Sequence, residues 1–215
     1  ETAYKSGSNV SSQLYMLVKF AEVTPKSFLC KGDSGVEEFI PAEQGAGQRD
    51  LTTLFDFGAN GQRCCSYAYH SPYPDAAGKN YGLTASSDPG MAMAADPNPW
   101  LAGADMDARP DGEWTNFNPE STIKDDVKLG NAQTHQDDGQ NVLYVDGHTS
   151  FEKTSACGVD NDNIYTAYLR NPVTQPSDRM KGISPQRGNP SVPGPKARND
   201  SFLITDDYNG GGSTG

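Results

Sequence analysis

A helical stripe near the N terminus is the first clear pattern along the chain. Apolar residues recur there with the three- and four-residue spacing of one helix face, at Val10, Leu14, Leu17, Val18 and Ala21. Ser8 or Asn9 is the predicted N-cap, because a short polar side chain accepts a hydrogen bond from a free N–H group of the first turn. Thr24 and Pro25 then predict a short helical turn that ends near Cys30.

Strand patterns follow further along the chain. Alternation over 65–69 predicts a strand, and the short apolar run 90–95 is compatible with a buried strand or a helical turn. The strongest local signal predicts a hairpin with strands of about 140–145 and 148–152, joined at Asp146-Gly147 by a type I′ turn. Segment 201–205 predicts a last strand, whereas 164–168 is compatible with a helical turn or an edge strand.

The remaining segments predict loops. Four prolines and many Asp and Asn residues in 96–119 indicate a long irregular excursion, held by Trp100 and Trp114. The proline-rich segment 171–199 predicts extended coil. We therefore predict an α+β fold in which an N-terminal helix packs on a small antiparallel β-sheet with long irregular loops. One domain would cover 1–208, with a loop-rich insertion near 96–130, and 209–215 would be a flexible Gly-rich tail.

The net charge of the chain limits the kinds of partner that it is expected to bind. Seventeen Lys and Arg residues against 28 Asp and Glu residues give a formal net charge of -11, which opposes attraction to nucleic acid or to an anionic membrane. No window approaches the ~18 consecutive apolar residues of a membrane span. The first residues also lack the basic and apolar regions of a signal peptide. We expect a chain without a membrane span and without a nucleic-acid partner.

The four cysteines are Cys30, Cys64, Cys65 and Cys157, and none has C-x-x-C spacing. Disulfides fit this set better than a zinc ribbon or a redox motif does. Adjacent cysteines rarely bond each other, so Cys30 and Cys157 would each pair with one of the other two. Four reduced, buried thiols are the alternative. Disulfides would place the protein in an extracellular, cell-surface or periplasmic location.

Two segments are candidate metal sites. Oxygen-bearing side chains follow one another at Asp160, Asn161, Asp162 and Asn163, as hard Ca²⁺ requires, although the Gly and the Glu of an EF-hand loop are missing. The alternative is a turn whose Asx side chains cap backbone amides. His135, Asp146 and His148 could hold a transition metal, but their spacing matches no zinc motif, which favours polar hairpin-end groups that bond backbone.

Several ordered patches of the chain resemble one protein family. They are the segment from His135 through Asp146-Gly147 to His148, together with 162–166, 199–203, 14–19 and 27–30. This order resembles the prepilin-type, processing-associated H-x(9)-D-G domain proteins of planctomycete-type bacteria. Ten residues instead of nine separate His135 from Asp146 here.

The resemblance implies a type IV pilin-like or type II secretion pseudopilin-like protein. Such a protein has an apolar N-terminal helix, processed by a prepilin peptidase, and a globular head with an antiparallel sheet. The sequence contains no such helix, which implies truncation before Glu1 or a head released in soluble form. In related pseudopilins calcium holds the loop after the sheet, which implies a role for Asp160 and Asp162. The resemblance implies no enzymatic activity.

Three functional hypotheses follow. The first is a non-catalytic structural subunit of a filament or secretion complex, partnered by copies of itself or by other pilin-like proteins. The second is a secreted carbohydrate- or protein-binding module that uses loop 96–119 and the aromatic residues Tyr67, Tyr69, Tyr73 and Tyr81. The third is a metal-dependent hydrolase built on His135, Asp146 and His148.

Overall fold

Helices and strands both contribute to the fold, which a computed structural model describes for residues 10–43, 46–47, 49–58, 60–185 and 194–208. The α-helices in these ranges are α1 (Ser11–Ala21), α2 (Asp111–Asn116), α3 (Lys124–Lys128) and α4 (Ser177–Met180). The strands are β1 (Ala68–His70), β2 (Ala92–Ala95), β3 (Gln140–Tyr144), β4 (Thr149–Glu152) and β5 (Leu203–Ile204). The predicted α+β class is therefore confirmed.

The strands form one antiparallel five-stranded sheet in the order β4-β3-β2-β1-β5. Strand β2 lies at its centre and pairs with β1 and β3, with a register shift between Ala92 and Ala94. Its alanine side chains are short, so the elements on both sides can approach the sheet closely. The last strand, β5, pairs with β1 at one edge of the sheet. The segment after β5 reaches the start of α1, where the Ser11 N–H donates to Asp206 Oδ1.

Each face of the sheet carries its own apolar cluster. Side chains alternate along a strand, so Val142 and Tyr144 of β3 join the cluster around Trp100 and Tyr165. Leu143 points to the other face, where α1 lies. The cluster on the α1 side is made of Leu14, Tyr15, Val18, Phe28, Phe39, Phe57, Cys64 and Cys65.

Helix α1 confirms the predicted helix, but it buries a narrower stripe than the sequence predicts. Leu14, Tyr15 and Val18 are buried, whereas Leu17 is 46% exposed. The helix end is capped from a distant segment: Asp206 Oδ1 accepts a hydrogen bond from the Ser11 N–H at 2.8 Å. The predicted caps Ser8 and Asn9 lie outside the described residues. The short turn after Pro25 is also confirmed, as a 3-10 helix over Pro25–Phe28.

The predicted hairpin is confirmed, but its turn differs from the prediction. The Gly147 N–H donates to Tyr144 O at 2.9 Å, and the Tyr144 N–H donates to His148 O at 3.0 Å. These bonds enclose three residues, and only Gly147, at φ 89°, has a positive φ among them. A three-residue loop of this kind, with a glycine at positive φ, is the next most common hairpin connection after the two-residue primed turns.

The loop regions contain more helix than the sequence predicts. Helix α2 lies inside the 96–119 excursion, and α4 lies inside 171–199. Trp100 is buried, and the rings of Trp100 and Trp114 pack edge-to-face with their centroids 4.9 Å apart. These two rings anchor the loop 96–119, as predicted. Segment 164–168 is a buried turn, and the predicted tail 209–215 lies outside the described residues.

Candidate functional site

Three side chains with metal-ligating or catalytic chemistry meet where the central strand β2 ends. Cys30 follows the Pro25–Phe28 turn, Asp96 follows β2, and His135 ends a 3-10 turn over Gln133–His135. Their ligand atoms lie within 4.8 Å of one another, and this is the only such group of three His, Cys, Asp or Glu residues in the described part of the chain. His135 Nε2 lies 3.0 Å from Asp96 Oδ2 and 3.8 Å from Cys30 Sγ.

A glycine lets the Cys30 segment reach His135. A Cβ atom on Gly32 would lie 2.4 Å from the backbone oxygen of Thr134, which is the residue before His135. Real Cβ atoms do not approach an oxygen so closely, so any other residue at position 32 would push the two segments apart. The same turn closes with a hydrogen bond from the Asp33 N–H to Cys30 O at 3.1 Å.

The loop between His135 and β3 is held in an uncommon backbone conformation. Gln136 and Asp137 have φ values of 55° and 63°, a region that costs most residues on the order of 1 kcal/mol. The surroundings stabilise this conformation, since buried Arg109 pairs with the Asp137 carboxylate and Asn131 Nδ2 donates to Asp137 O at 2.9 Å. These contacts hold the loop that connects His135 to β3.

Asp96 is buried, and one residue of β3 orients it. The Asn141 backbone N–H and its Nδ2 both donate to Asp96 Oδ2, at 2.6 and 3.1 Å. Burial raises the pKa of Asp96, while the hydrogen bonds from Asn141 and the neighbouring His135 act in the opposite direction. Asp33 is buried nearby, and its pKa is also raised, mainly by burial and further by the Asp96 charge.

The contacts of His135 distinguish two kinds of chemistry. In a nucleophilic triad the thiol bonds one ring nitrogen, and the orienting carboxylate bonds the other. Here Cys30 Sγ and Asp96 Oδ2 both face Nε2. This arrangement does not form a proton relay through the ring; it brings three potential ligands around a common point.

The family motif is divided between the two ends of β3. His135 lies before the strand, while Asp146 and Gly147 lie in the loop after it, and five strand residues span about 17 Å. His148 Nδ1 lies 2.5 Å from Asp146 Oδ1, and its ring stacks on Tyr144 at 4.4 Å, in an exposed position. The structure therefore does not bring His135 together with Asp146 and His148 as the hydrolase hypothesis requires.

The candidate calcium loop contains carboxylates in two different environments. Asp160 is exposed and lies 4.0 Å from Arg179 Nη1. Asp162 is buried, and its Oδ2 accepts a hydrogen bond from the Ser201 N–H at 2.6 Å. Asn163 Oδ1 accepts from the Tyr165 N–H at 3.1 Å, and Asn161 has a φ of 62°. Asp162 Oδ2 and Asn163 Oδ1 thus bind backbone amides, as the alternative predicts, and a calcium ion at this loop stays a prediction.

All four cysteines are free thiols, so the expected disulfides are not seen. Cys64 and Cys65 are buried in the cluster under α1, where burial raises the pKa of Cys64 to about 11 and that of Cys65 to about 12. Cys157 packs against the opposite cluster, which separates it from the other cysteines. Cys30 instead joins His135 and Asp96, a set that no sequence spacing indicates because the three residues come from distant segments.

The aromatic residues of the predicted binding module mostly belong to the interior. Trp100 is buried, and Tyr67 and Tyr69 pack against the cluster under α1. Tyr73 packs on Tyr208 with ring centroids 6.0 Å apart, and Tyr81 lies under Lys79. These rings do not form one exposed platform for a sugar.

Comparison of the chain with protein-family models, with curated proteins and with solved structures finds no match. Within the described ranges, no helix is both long enough and apolar enough to cross a membrane.

Proposed function

We propose that this chain is a non-catalytic structural subunit of a pilin-like or pseudopilin-like assembly outside the cytoplasm, a filament or a secretion complex. The resemblance of the motif patches supports the family. The architecture, a helix against one face of a small antiparallel sheet, is compatible with a pilin-like head. The subunits would contact one another through the face that contains α1.

The observation that carries this proposal is an uncharged groove beside α1. The groove has a volume of about 480 Å³ and is lined by Leu14, Leu17, Val23, Ser27, Phe28, Tyr67, Ala94, Ala95, Asn141, Val142, Leu143 and Thr149. None of these residues carries a charge, although the chain has a net charge of -11. Copies of an acidic chain repel each other, so a groove without charge is a face on which two copies can approach.

The groove and the helix beside it complement each other. Leu17 is 46% exposed at the groove, and Phe20 is 74% exposed one turn further along the same helix. In a two-fold dimer each copy offers the same patch, so the exposed side chains of one α1 would enter the groove of the other copy. Burying one large apolar side chain in this way contributes about 1.5 to 3 kcal/mol. The proposed occupant of the groove is therefore a second copy of this chain.

Sedimentation velocity over a range of protein concentrations tests the proposal. We expect self-association that strengthens with salt, because the Debye length falls from about 10 Å at 0.1 M to about 3 Å at 1 M and repulsion between the copies weakens. Leu17→Glu places a charge in the groove and should abolish association. Ile123→Glu is the matched control, since Ile123 is 59% exposed and lies away from the groove.

Two outcomes contradict the proposal. One is a monomer at every concentration and salt level; the other is equal weakening by Leu17→Glu and Ile123→Glu. Because a two-fold contact closes at the dimer, electron microscopy of the associated material then shows whether further contacts join the dimers into filaments.

A further inference from the structure

The residues around His135 offer a donor set of mixed softness. Cys30 supplies sulfur, His135 supplies an imidazole nitrogen and Asp96 supplies a carboxylate oxygen. Thiolate ligands disfavour the hard ions Ca²⁺ and Mg²⁺, whereas Zn²⁺ accepts sulfur, nitrogen and oxygen in one site. The donor chemistry therefore favours Zn²⁺ over Ca²⁺ and Mg²⁺.

Two of the three distances between the donor atoms are close to those around a tetrahedral ion. Bonds of about 2.3 Å to sulfur and about 2.0 Å to nitrogen and oxygen place S and N about 3.5 Å apart, and N and O about 3.3 Å apart. The structure has 3.8 Å between Cys30 Sγ and His135 Nε2, and 3.0 Å between His135 Nε2 and Asp96 Oδ2. Adjustments of about 0.3 Å bring these two separations to the tetrahedral values. The third pair, Cys30 Sγ and the Asp96 carboxylate, lies within 4.8 Å, and binding would bring it to about 3.5 Å.

The hydrogen-bonding capacity of His135 Nε2 is too small for its neighbours. A ring nitrogen either donates one hydrogen bond or accepts one. Nε2 has Asp96 Oδ2 at 3.0 Å, Asn141 Nδ2 at 3.2 Å and Cys30 Sγ at 3.8 Å. One proton on this nitrogen satisfies a single contact, whereas a cation among these atoms binds sulfur, nitrogen and oxygen together.

The buried Asp96 carboxylate gives a second indication, because only one of its two oxygens has hydrogen-bond partners in the described part of the chain. Asp96 is fully buried, and its Oδ1 contacts no hydrogen-bond donor among the described residues. A buried carboxylate is costly unless it is paired or coordinates a metal. The site is also open to an ion from solvent, since the His135 side chain is 27% exposed and Cys30 is half-buried.

We propose that Cys30, Asp96 and His135 bind one Zn²⁺ ion through Sγ, the Asp96 carboxylate and Nε2, with Asn141 as the residue that orients Asp96. Binding releases the Cys30 thiol proton to solvent and uses the deprotonated carboxylate and an unprotonated Nε2. The ion ties the turn after Pro25–Phe28 and the segment before β3 to the end of β2. It thereby joins the α1 side of the molecule to the sheet. The proposal does not depend on the assembly proposed above.

Titration with Co²⁺ tests the site directly, using the whole chain freed of metal and kept reduced with a phosphine. Co²⁺ replaces Zn²⁺ in tetrahedral sites, and its bond to a thiolate gives a charge-transfer absorption band. We expect one Co²⁺ per chain, a band that Zn²⁺ displaces, and loss of the band in Cys30→Ser. Asp96→Asn and His135→Gln should also lose tight binding, and Asn141→Ala should weaken it by about 10- to 100-fold.

Matched variants separate this site from other metal binding. Cys157→Ala removes a half-buried thiol elsewhere, and His148→Ala removes the exposed histidine of the hairpin; both should bind Co²⁺ as the parent does. Near-ultraviolet circular dichroism of each metal-free variant establishes that it is folded. Absence of a thiolate band in the folded parent overturns the proposal, as does a band that persists in Cys30→Ser or disappears in His148→Ala.

Discussion

Replacing Asp162 by Asn should stabilise this protein at neutral pH and leave its stability near pH 4 almost unchanged. Asp162 and Asp200 are both fully buried. Burial, and secondly the charge of Asp200, raises the pKa of Asp162 well above 3.8. Burial raises the pKa of Asp200 to about 7, against opposing backbone hydrogen bonds and the Lys196 charge. Arg179 lowers the pKa of Asp162, but by less than burial and Asp200 raise it.

The sign follows from proton linkage. In the unfolded chain Asp162 ionises near its ordinary pKa of 3.8, whereas in the folded protein it keeps its proton to a much higher pH. Stability is therefore highest below the unfolded pKa and falls as the pH rises toward the folded pKa. Each pH unit in that interval costs about 1.36 kcal/mol, so at pH 7 the penalty reaches at most about 4 kcal/mol.

Asparagine removes this penalty and keeps an oxygen that can accept the Ser201 N–H bond. We expect a gain in the free energy of unfolding at pH 7 that is at most about 4 kcal/mol and shrinks to near zero at about pH 4. Urea unfolding at a series of pH values measures this gain, with the fluorescence of buried Trp100 as the signal.

Asp138→Asn provides a control of opposite sign. Lys128 lies 2.5 Å from Asp138 and lowers the pKa of that carboxyl, so its contribution to stability is present above the unfolded pKa and is lost as the pH falls. The control variant should lose stability at neutral pH and converge with the parent in acid. If Asp162→Asn and the parent show parallel stability curves from pH 4 to 8, the reasoning about the buried carboxyl pair is wrong.

Three further predictions concern the proposed zinc site and the core. Gly32→Ala should weaken Co²⁺ binding in the titration, because its Cβ would meet Thr134 O at 2.4 Å, whereas Gly112→Ala, which meets nothing within 4 Å, should not. Zn²⁺ at 100 times its Kd should stabilise the parent by about 2.7 kcal/mol, a rise of about 5 to 11 °C in Tm that calorimetry should not find in Cys30→Ser. Phe117→Ala should cost about 3 to 5 kcal/mol in urea unfolding, since the ring is fully buried against Trp100; a cost below 1 kcal/mol contradicts that packing.

Local sequence patterns predict much of the fold. The stripe through Leu14 and Val18 predicts α1, and the apolar run before Asp96 predicts β2. The β-prone runs around Gly147 predict the β3–β4 hairpin. These elements could be predicted because helix and strand periodicity, proline and glycine act over a few neighbouring residues. The short helices α2 and α4 were missed, since proline and polar residues are also compatible with a single helical turn.

The candidate site shows the limit of such patterns. The sequence indicates His135 as a candidate because of its spacing to Asp146-Gly147. In the structure His135 lies before β3 and Asp146-Gly147 lies after it, so the strand separates them. His135 instead contacts Cys30 and Asp96. These residues are far apart along the chain, and no spacing between them predicts that they meet. A single sequence does not indicate which loops will approach each other.

The sequence by itself therefore determined the α+β class, the helix, the hairpin and the acidic charge, because each depends on local order or on composition. Only the tertiary structure decided that the cysteines remain unpaired and that Cys30 lies beside Asp96 and His135. It also decided that only uncharged residues line the groove beside α1. These features depend on which side chains the sheet brings together from distant segments, and that choice is made by the packing of the whole chain.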